Sequence, residues 1–142
     1  LREKGGEVGV TTGRPRRCGW LDLVVLNYSH MINGYTAFAL TKLDVLDTFD
    51  EIKVAVSYKL NGEVIESVPA SCSEFSKVEA VYKSFPGWKC ATSGIRKYTD
   101  LPLAAKNFVE FIEEYTGVPV RWIGVGQDRH SLVDRSSELA AQ

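Results

Sequence analysis

The stretch that indicates the fold class is Thr36-Ala37-Phe38-Ala39-Leu40-Thr41, a short and nearly continuous apolar run. Such a run, followed at once by the charged segment Lys42-Leu43-Asp44, is typical of a buried strand in a parallel sheet. Residues 118–125 form a second run of this type, predicted to be the last strand. Apolar residues at helical spacing predict helices over residues 20–33 and 103–115. The sequence therefore predicts an α/β fold, with a mostly parallel sheet flanked by helices.

An antiparallel hairpin is predicted beside this sheet. Residues 52–58 alternate apolar and polar side chains, Asn61-Gly62 is a strong two-residue turn signal, and residues 63–68 return. Residues 79–83 read as a further exposed strand that stops at Pro86-Gly87-Trp88. Residues 136–142 are expected to form a loose tail after a domain that ends at residue 135.

Composition limits the functional classes. The chain has 142 residues and a formal net charge of −1, which fits one globular domain and argues against general binding of nucleic acid. No apolar run is long enough to span a membrane, and none resembles a signal peptide. The three cysteines are far apart, which favours reduced thiols and a cytoplasmic protein. Because the chain starts at Leu1 within a polar segment, we expect a fragment of a longer protein.

The most distinctive polar segment is Val10-Thr11-Thr12-Gly13-Arg14-Pro15-Arg16-Arg17. Its three arginines favour a loop, since a buried element would not accommodate their charge. Gly13 permits a positive φ, and Pro15 stiffens the chain. Guanidinium groups bind carboxylate or phosphate oxygens in a bidentate geometry. The loop is therefore predicted to bind an anionic substrate, although a solvated basic turn explains its composition about equally well.

Lys42-Leu43-Asp44 lies at the predicted carboxyl end of a strand, where open α/β sheets bind ligands. A carboxylate there can accept two hydrogen bonds from guanine, whereas adenine presents the wrong pattern. The lysine stem can lie along the base. Taken alone, this tripeptide is more often a strand end with a salt bridge. The turn Gly124-Val125-Gly126-Gln127 could close over a base, or it could be a simple turn.

Taken together and in this order, these segments resemble the adenylosuccinate synthetase family. The matching stretches are residues 9–22, residues 33–36, residues 40–47, Pro86-Gly87-Trp88, Leu101-Pro102 and Gly124-Val125-Gly126. They extend over almost the whole chain and resemble the C-terminal portion of eukaryotic forms. The resemblance implies the α/β fold of P-loop-NTPase-like synthetases. It also implies a homodimeric enzyme, adenylosuccinate synthase (EC 6.3.4.4), which joins IMP to L-aspartate with GTP and Mg²⁺ on the route to AMP.

The resemblance also implies roles for individual residues. The aspartate-binding loop would comprise Val10, Thr11, Thr12, Gly13, Arg14, Pro15 and Arg16. Arg14 would in addition contact IMP. The residues implied to bind GTP are Arg16, Lys42, Leu43, Asp44, Gly124, Val125, Gly126 and Gln127. No metal ligand is expected in this chain.

The family's catalytic aspartate and histidine, its phosphate loop and its magnesium ligands have no counterpart here, so we expect no catalytic residue and little activity from the isolated chain. His30 is expected to pack within a helix and His130 to be exposed. Two alternatives remain: a non-catalytic nucleotide-binding or interaction module derived from the synthetase and, less favoured, a basic loop that binds RNA. The second lacks aromatic residues among its arginines.

Overall fold

The computed structural model describes residues 1–139. The strands are β1 Leu21–Asp22, β2 Phe38–Leu40, β3 Glu51–Leu60, β4 Glu63–Ile65, β5 Glu79–Pro86, β6 Val120–Gly124 and β7 Leu132–Asp134. The α-helices are α1 Leu23–Asn33, α2 Cys72–Phe75, α3 Leu103–Thr116 and α4 Ser136–Leu139, and two short 3-10 helices cover Leu43–Leu46 and Tyr98–Asp100.

The described strands form two sheets. In the first, β3 pairs in parallel with β1 and antiparallel with both β4 and β5. In the second, β6 pairs in parallel with β2 and antiparallel with β7. The α/β class predicted from the sequence is confirmed, but both sheets are mixed rather than mostly parallel. The reason is that β5 and β7 both return antiparallel to their neighbours.

Helix α1 begins later than its apolar spacing predicts. Leu21 and Asp22 pair with Val54 and Ala55 as a short parallel strand, so the helix starts at Leu23. The Asp22 carboxylate caps the helix by accepting hydrogen bonds from the backbone N–H groups of the second and third residues after it, at 3.0 and 3.1 Å. Gly34 ends the helix with a φ of 63°.

The other predicted elements differ mainly in length, except that β2, predicted to be buried, is half-buried and leaves Ala39 exposed. The Asn61-Gly62 turn is confirmed, with positive φ at both residues, but the returning strand β4 is shorter than residues 63–68. Strand β6 is not the last strand, because β7 follows it after a turn. Residues 136–142 were predicted to be a loose tail; the structure forms α4 within them, and residues 140–142 lie outside the described part.

The hydrophobic core lies between the sheets and the two long helices. Leu23 of α1, Val54 of β3, Phe108 and Val109 of α3 and Ile123 of β6 are all nearly or fully buried within it. Trp88 also belongs to this core, since it is buried against Phe108. None of the helices within residues 1–139 has both the length and the apolar character needed to cross a membrane.

Gly87 is required by a close approach of two backbone segments. Its N–H donates to the Asp50 carbonyl oxygen at 2.9 Å, and a Cβ at this position would lie 1.8 Å from the Phe49 carbonyl oxygen. No side chain can relieve that contact, because the obstructing atom belongs to the backbone. The glycine therefore fixes how the end of β5 packs beside the start of β3.

We predict that Gly87→Ala lowers the free energy of unfolding by about 3 kcal/mol, because the backbone must shift to admit the new methyl group. Gly94→Ala is the matched control, since a Cβ there meets nothing within 4 Å and its φ is not positive. The control should change stability by less than about 1 kcal/mol. Urea unfolding measures both variants, and equal stabilities would contradict the packing described for Gly87.

Candidate functional site

The arginine-rich loop folds back on itself at the surface. The Gly9 N–H donates to the Arg14 carbonyl oxygen at 2.8 Å, and the Gly13 N–H donates to the Gly9 carbonyl oxygen at 2.8 Å. Val8 and Pro15 form an isolated antiparallel bridge below these bonds, and Gly13 has a φ of 65°. Every residue from 10 to 17 is exposed. The loop thus presents its hydroxyl and guanidinium groups to solvent on a closed backbone.

A cavity of about 400 Å³ lies at the base of this loop. Its lining includes the cationic residues Arg16 and Lys42, the acidic Glu7, and the aromatic residues Trp20 and Phe108. The two Glu7 carboxylate oxygens contact different cations, Oε2 pairing with Arg16 Nη1 at 3.2 Å and Oε1 with Lys42 Nζ. Hydrogen bonds from Lys42 and Arg16 hold the pKa of Glu7 below its usual value. Glu7 therefore carries a negative charge at neutral pH.

A second cavity, of about 650 Å³, joins two segments that are far apart in the sequence. Lys42 and Asp44 line it from the segment after β2, and Gly124, Gly126 and Gln127 line it from the end of β6 and the turn that follows. These segments meet because β2 and β6 are neighbours in a parallel pair, which brings their carboxyl ends to the same edge. Five of the residues implied to bind GTP thus share one cavity.

The segment after β2 alternates between the core and the cavity. Lys42 adopts a left-handed conformation with a φ of 61°, and the chain then enters the 3-10 helix Leu43–Leu46. Leu43 and Val45 are buried, whereas Asp44 is half-buried. Within residues 1–139 the Asp44 carboxylate makes no hydrogen bond or ion pair, so both of its oxygens can accept bonds from a ligand.

The glycine turn is packed closely against its surroundings. A Cβ on Gly124 would lie 3.4 Å from the Thr41 Cα, and a Cβ on Gly126 would lie 2.9 Å from both Cβ and Oγ of Ser131. Between them, the Val125 N–H donates to the Ser131 carbonyl oxygen at 2.9 Å. Small residues therefore allow the turn to lie against the backbone of the Lys42 segment.

Some of the predicted site residues lie elsewhere. Residues 10–15, from Val10 to Pro15, line neither cavity and remain at the exposed tip of the loop. The Leu43 and Val125 side chains belong to the core, with 1% and 0% exposure, and neither residue lines the second cavity, although Leu43 lines the first. The structure therefore brings Arg16 to the first cavity and the Lys42 and Gly126 segments to the second.

The two histidines lie outside both cavities. His30 is half-buried in α1 and stacks on Tyr35, with ring centroids 6.1 Å apart, and His130 is exposed. Glu113 of α3 is paired with Arg135 at 2.7 Å and is not free in solvent. Periodicity missed this pair because the partners are distant in sequence.

Glu7 is an acidic residue of the first cavity that the sequence-based assignment left out. It precedes the arginine loop and contacts both Arg16 and Lys42. Its backbone pairs with the other arm of the loop, since the Arg16 N–H donates to the Glu7 carbonyl oxygen at 3.0 Å. An acidic residue placed before a run of arginines was the available signal. Within residues 1–139, no group of three or more His, Cys, Asp or Glu side chains is arranged to hold a metal ion.

The mixed sheets, the flanking helices and a cavity at the carboxyl ends of β2 and β6 define an α/β protein with a candidate ligand site at the edge of a sheet. The family model for adenylosuccinate synthetase matches residues 1–133. The chain therefore belongs to the adenylosuccinate synthetase family, a family of ligases of purine biosynthesis.

Individual relatives agree with this assignment. The chain is 58% identical over 135 residues to the adenylosuccinate synthetase of Candida tropicalis, covering 95% of this chain and 32% of the relative. It is 56% identical over 139 residues to that of Phaeosphaeria nodorum, covering 98% of this chain and 33% of the relative. The chain thus spans about a third of the length of these relatives.

A solved structure is also similar. The fully ligated adenylosuccinate synthetase from Plasmodium falciparum superposes with a TM-score of 0.89 at 42% identity. The match covers 94% of this chain and 32% of that chain. The α/β architecture described above is therefore the architecture of the corresponding part of a synthetase.

We predict that Gly126→Ala destabilises the glycine turn by about 1–3 kcal/mol, because the new methyl group would lie too close to the Ser131 side chain. Ser131→Gly removes both obstructing atoms, at its own cost in stability. In a double-mutant cycle measured by urea unfolding, the combined variant should therefore lose less stability than the sum of the single variants. If the losses of stability were simply additive, the residue at position 126 would not be in close contact with Ser131.

Proposed function

We propose that this chain is the C-terminal portion of a GTP-dependent ligase that joins IMP to L-aspartate. In the reaction implied by the family resemblance, GTP phosphorylates the 6-oxygen of IMP, and the aspartate amine then displaces that phosphate. The products are adenylosuccinate, GDP and phosphate. The observation that carries the proposal is the second cavity, where Lys42 and Asp44 lie beside the Gly124 to Gln127 turn.

In this proposal the second cavity binds the guanine base of GTP. The Asp44 carboxylate would accept hydrogen bonds from the ring N–H and the exocyclic amino group of guanine, which is a charge-assisted, bidentate contact. The Asp44 carboxylate has no other hydrogen-bond or ion-pair partner within residues 1–139, which supports this role. The Lys42 stem would lie along the base, and the backbone of residues 124–127, together with Gln127, would close the pocket. Leu43 and Val125 would contribute backbone contacts only.

The arginine loop would bind L-aspartate, whose two carboxylates suit guanidinium groups. Thr11 and Thr12 would add hydroxyl donors, and Val10, Gly13 and Pro15 would set the backbone of the loop. Arg14 would also contact IMP, and Arg16 would contact GTP. The exposure of the loop and its closed backbone support a role as a segment that folds over a substrate.

The remaining parts of the reaction are assigned outside this chain. The general base, the general acid, the phosphate loop and the Mg²⁺ ligands would be supplied by the rest of a full-length enzyme. We expect that enzyme to be a homodimer, with GTP as a co-substrate. The free thiols Cys18, Cys72 and Cys90 fit a reducing compartment such as the cytoplasm.

We predict that the isolated chain does not form adenylosuccinate from IMP, L-aspartate, GTP and Mg²⁺. A chimaeric synthetase, in which this chain replaces the matching third of the Candida tropicalis relative, should form it with GTP and not with ATP. The physical reason is that the chain supplies recognition groups and the remainder supplies the catalytic groups. The assay follows adenylosuccinate by absorbance.

Either of two results would reject this assignment. Turnover by the isolated chain would show that the catalytic groups lie within it. A folded chimaera without turnover would favour the alternative, a non-catalytic nucleotide-binding or interaction module. The unmodified Candida tropicalis enzyme, assayed in parallel, controls for the conditions.

We predict that Asp44→Asn in the chimaera raises the KM for GTP by about tenfold to a hundredfold, the effect expected from losing a charge-assisted bidentate contact. The same variant should improve the use of xanthosine triphosphate, because an asparagine amide can donate to the exocyclic oxygen of xanthine. Steady-state kinetics with both nucleotides measures the change.

Asp128→Asn is the matched control, since it removes the same charge from the lining of the same cavity. It should leave the preference between GTP and xanthosine triphosphate unchanged. If Asp44→Asn also left that preference unchanged, Asp44 would not be the residue that reads guanine.

A further inference from the structure

The Glu7 carboxylate links two residues that belong to different parts of the candidate site. One oxygen contacts Arg16 at 3.2 Å, and the other contacts Lys42. We propose that Glu7 is a positioning residue for GTP binding, which holds the Arg16 guanidinium and the Lys42 ammonium in the orientations that the nucleotide requires. This inference rests on the proposed function, because it assumes that these two cations face GTP.

The backbone around Glu7 makes this link stiff. The Arg16 N–H donates to the Glu7 carbonyl oxygen at 3.0 Å, so the two residues lie opposite each other on the two arms of the loop. The Val8–Pro15 bridge comes next on the same two arms. Arg2 Nε donates to the Arg16 carbonyl oxygen at 2.7 Å. Glu7 is therefore held by its backbone beside one cation while its side chain reaches the other.

The contact with Lys42 fixes the ammonium and leaves the stem available. Lys42 Nζ donates to the Gly5 carbonyl oxygen at 2.9 Å and also contacts Glu7. Lys42 lines both cavities, so its side chain is within reach of a ligand in either one. Because the ammonium already has hydrogen-bond partners, it does not have to be ordered when a base binds. Less side-chain entropy is therefore lost on binding.

The contact with Arg16 likewise orders a cationic side chain before a ligand binds. Glu7 engages Nη1, whereas the planar guanidinium carries five N–H donors in all. The remaining donors are held in a fixed plane and can face an anionic or hydroxyl-bearing ligand. One carboxylate between two cations leaves the group of three with a net positive charge, so the cluster still attracts a nucleotide.

An alternative role for Glu7 makes the opposite prediction. A carboxylate beside two cations could compete with the nucleotide for them, and its removal would then strengthen GTP binding. The positioning role requires weaker binding instead. The sign of the change in the KM for GTP therefore separates the two roles.

The test uses the chimaeric synthetase with Glu7→Gln. A glutamine side chain can accept a hydrogen bond from only one of the two cations and turns its own N–H donors towards the other. We expect the KM for GTP to rise about tenfold, the effect of losing one charge-assisted hydrogen bond, with kcat within about twofold of the parent. The melting temperature should not change, since exposed ion pairs add little to stability.

Glu3→Gln is the matched control, because Glu3 is an exposed acid in the same segment that lines neither the first nor the second cavity. It should leave the KM for GTP unchanged. In a Lys42→Ala background, adding Glu7→Gln should raise that KM by less than it does alone, since only Arg16 is then left for Glu7 to position.

The outcomes test the positioning role of Glu7 separately from the guanine site. If Asp44→Asn weakens GTP binding as expected but Glu7→Gln leaves the KM unchanged or lowers it, the positioning role of Glu7 is rejected and the guanine site stands. Additive effects of Glu7→Gln and Lys42→Ala on the KM for GTP would also reject that role. So would a loss of both kcat and melting temperature in Glu7→Gln, since that would indicate a general structural defect. If neither Asp44→Asn nor Glu7→Gln affects GTP, the guanine site itself is rejected.

Discussion

The Asp47 carboxylate fixes the position of the segment on which the candidate site depends. It accepts hydrogen bonds from Trp88 Nε1 at 2.7 Å, from the Thr92 N–H at 2.9 Å and from the Thr92 hydroxyl at 2.9 Å. Thr92 is fully buried, so these donors would cost about 1–3 kcal/mol each if left without a partner. The 3-10 helix that carries Asp44 ends beside Asp47 and is thereby tied to a loop more than 40 residues further along the chain.

The opposite wall of the second cavity depends on another polar contact. Glu113 Oε1 accepts hydrogen bonds from the Val120 N–H and from Arg135 Nη1, both at 2.7 Å, and Arg135 also donates to the Val120 carbonyl oxygen at 3.0 Å. The Arg135 guanidinium lies 3.9 Å from the centre of the Tyr98 ring. This contact joins α3 to the start of β6 and to the residue that follows β7. Because β6 ends at Gly124, the contact between Glu113 and Arg135 also fixes where the glycine turn enters the cavity.

The parts of the fold that the sequence predicted are those set by local patterns. Helix α3 follows from apolar spacing, the hairpin turn follows from Asn61-Gly62, and β2 follows from its apolar run. Strand β7 was missed because its three residues form a strand only by pairing with β6. Helix α1 starts late for the same reason, since the pairing of Asp22 with Ala55 overrides its helical spacing.

The candidate site was predictable to the extent that its residues lie in recognisable segments. The segments containing Lys42, Asp44 and Gly126 were identified because their order along the chain resembles that of a known family. Glu7 and the Glu113–Arg135 pair were not, since each acts through a partner that no local pattern indicates. The distinction is physical: residue type limits which contacts a side chain can make, and only the tertiary fold determines which partner is within reach.

The left-handed conformation of Lys42 shows how the backbone arranges the recognition groups. A non-glycine residue with a φ of 61° costs about 1–2 kcal/mol relative to an ordinary conformation. Here it turns the chain sharply at the end of β2, so that Leu43 and Val45 enter the core while Asp44 stays at the cavity. Burial of these two apolar side chains offsets the cost, since each contributes about 1.5–3 kcal/mol. The strained residue is thus held in place by the packing of its neighbours, and this packing keeps Lys42 and Asp44, on either side of Leu43, at the second cavity.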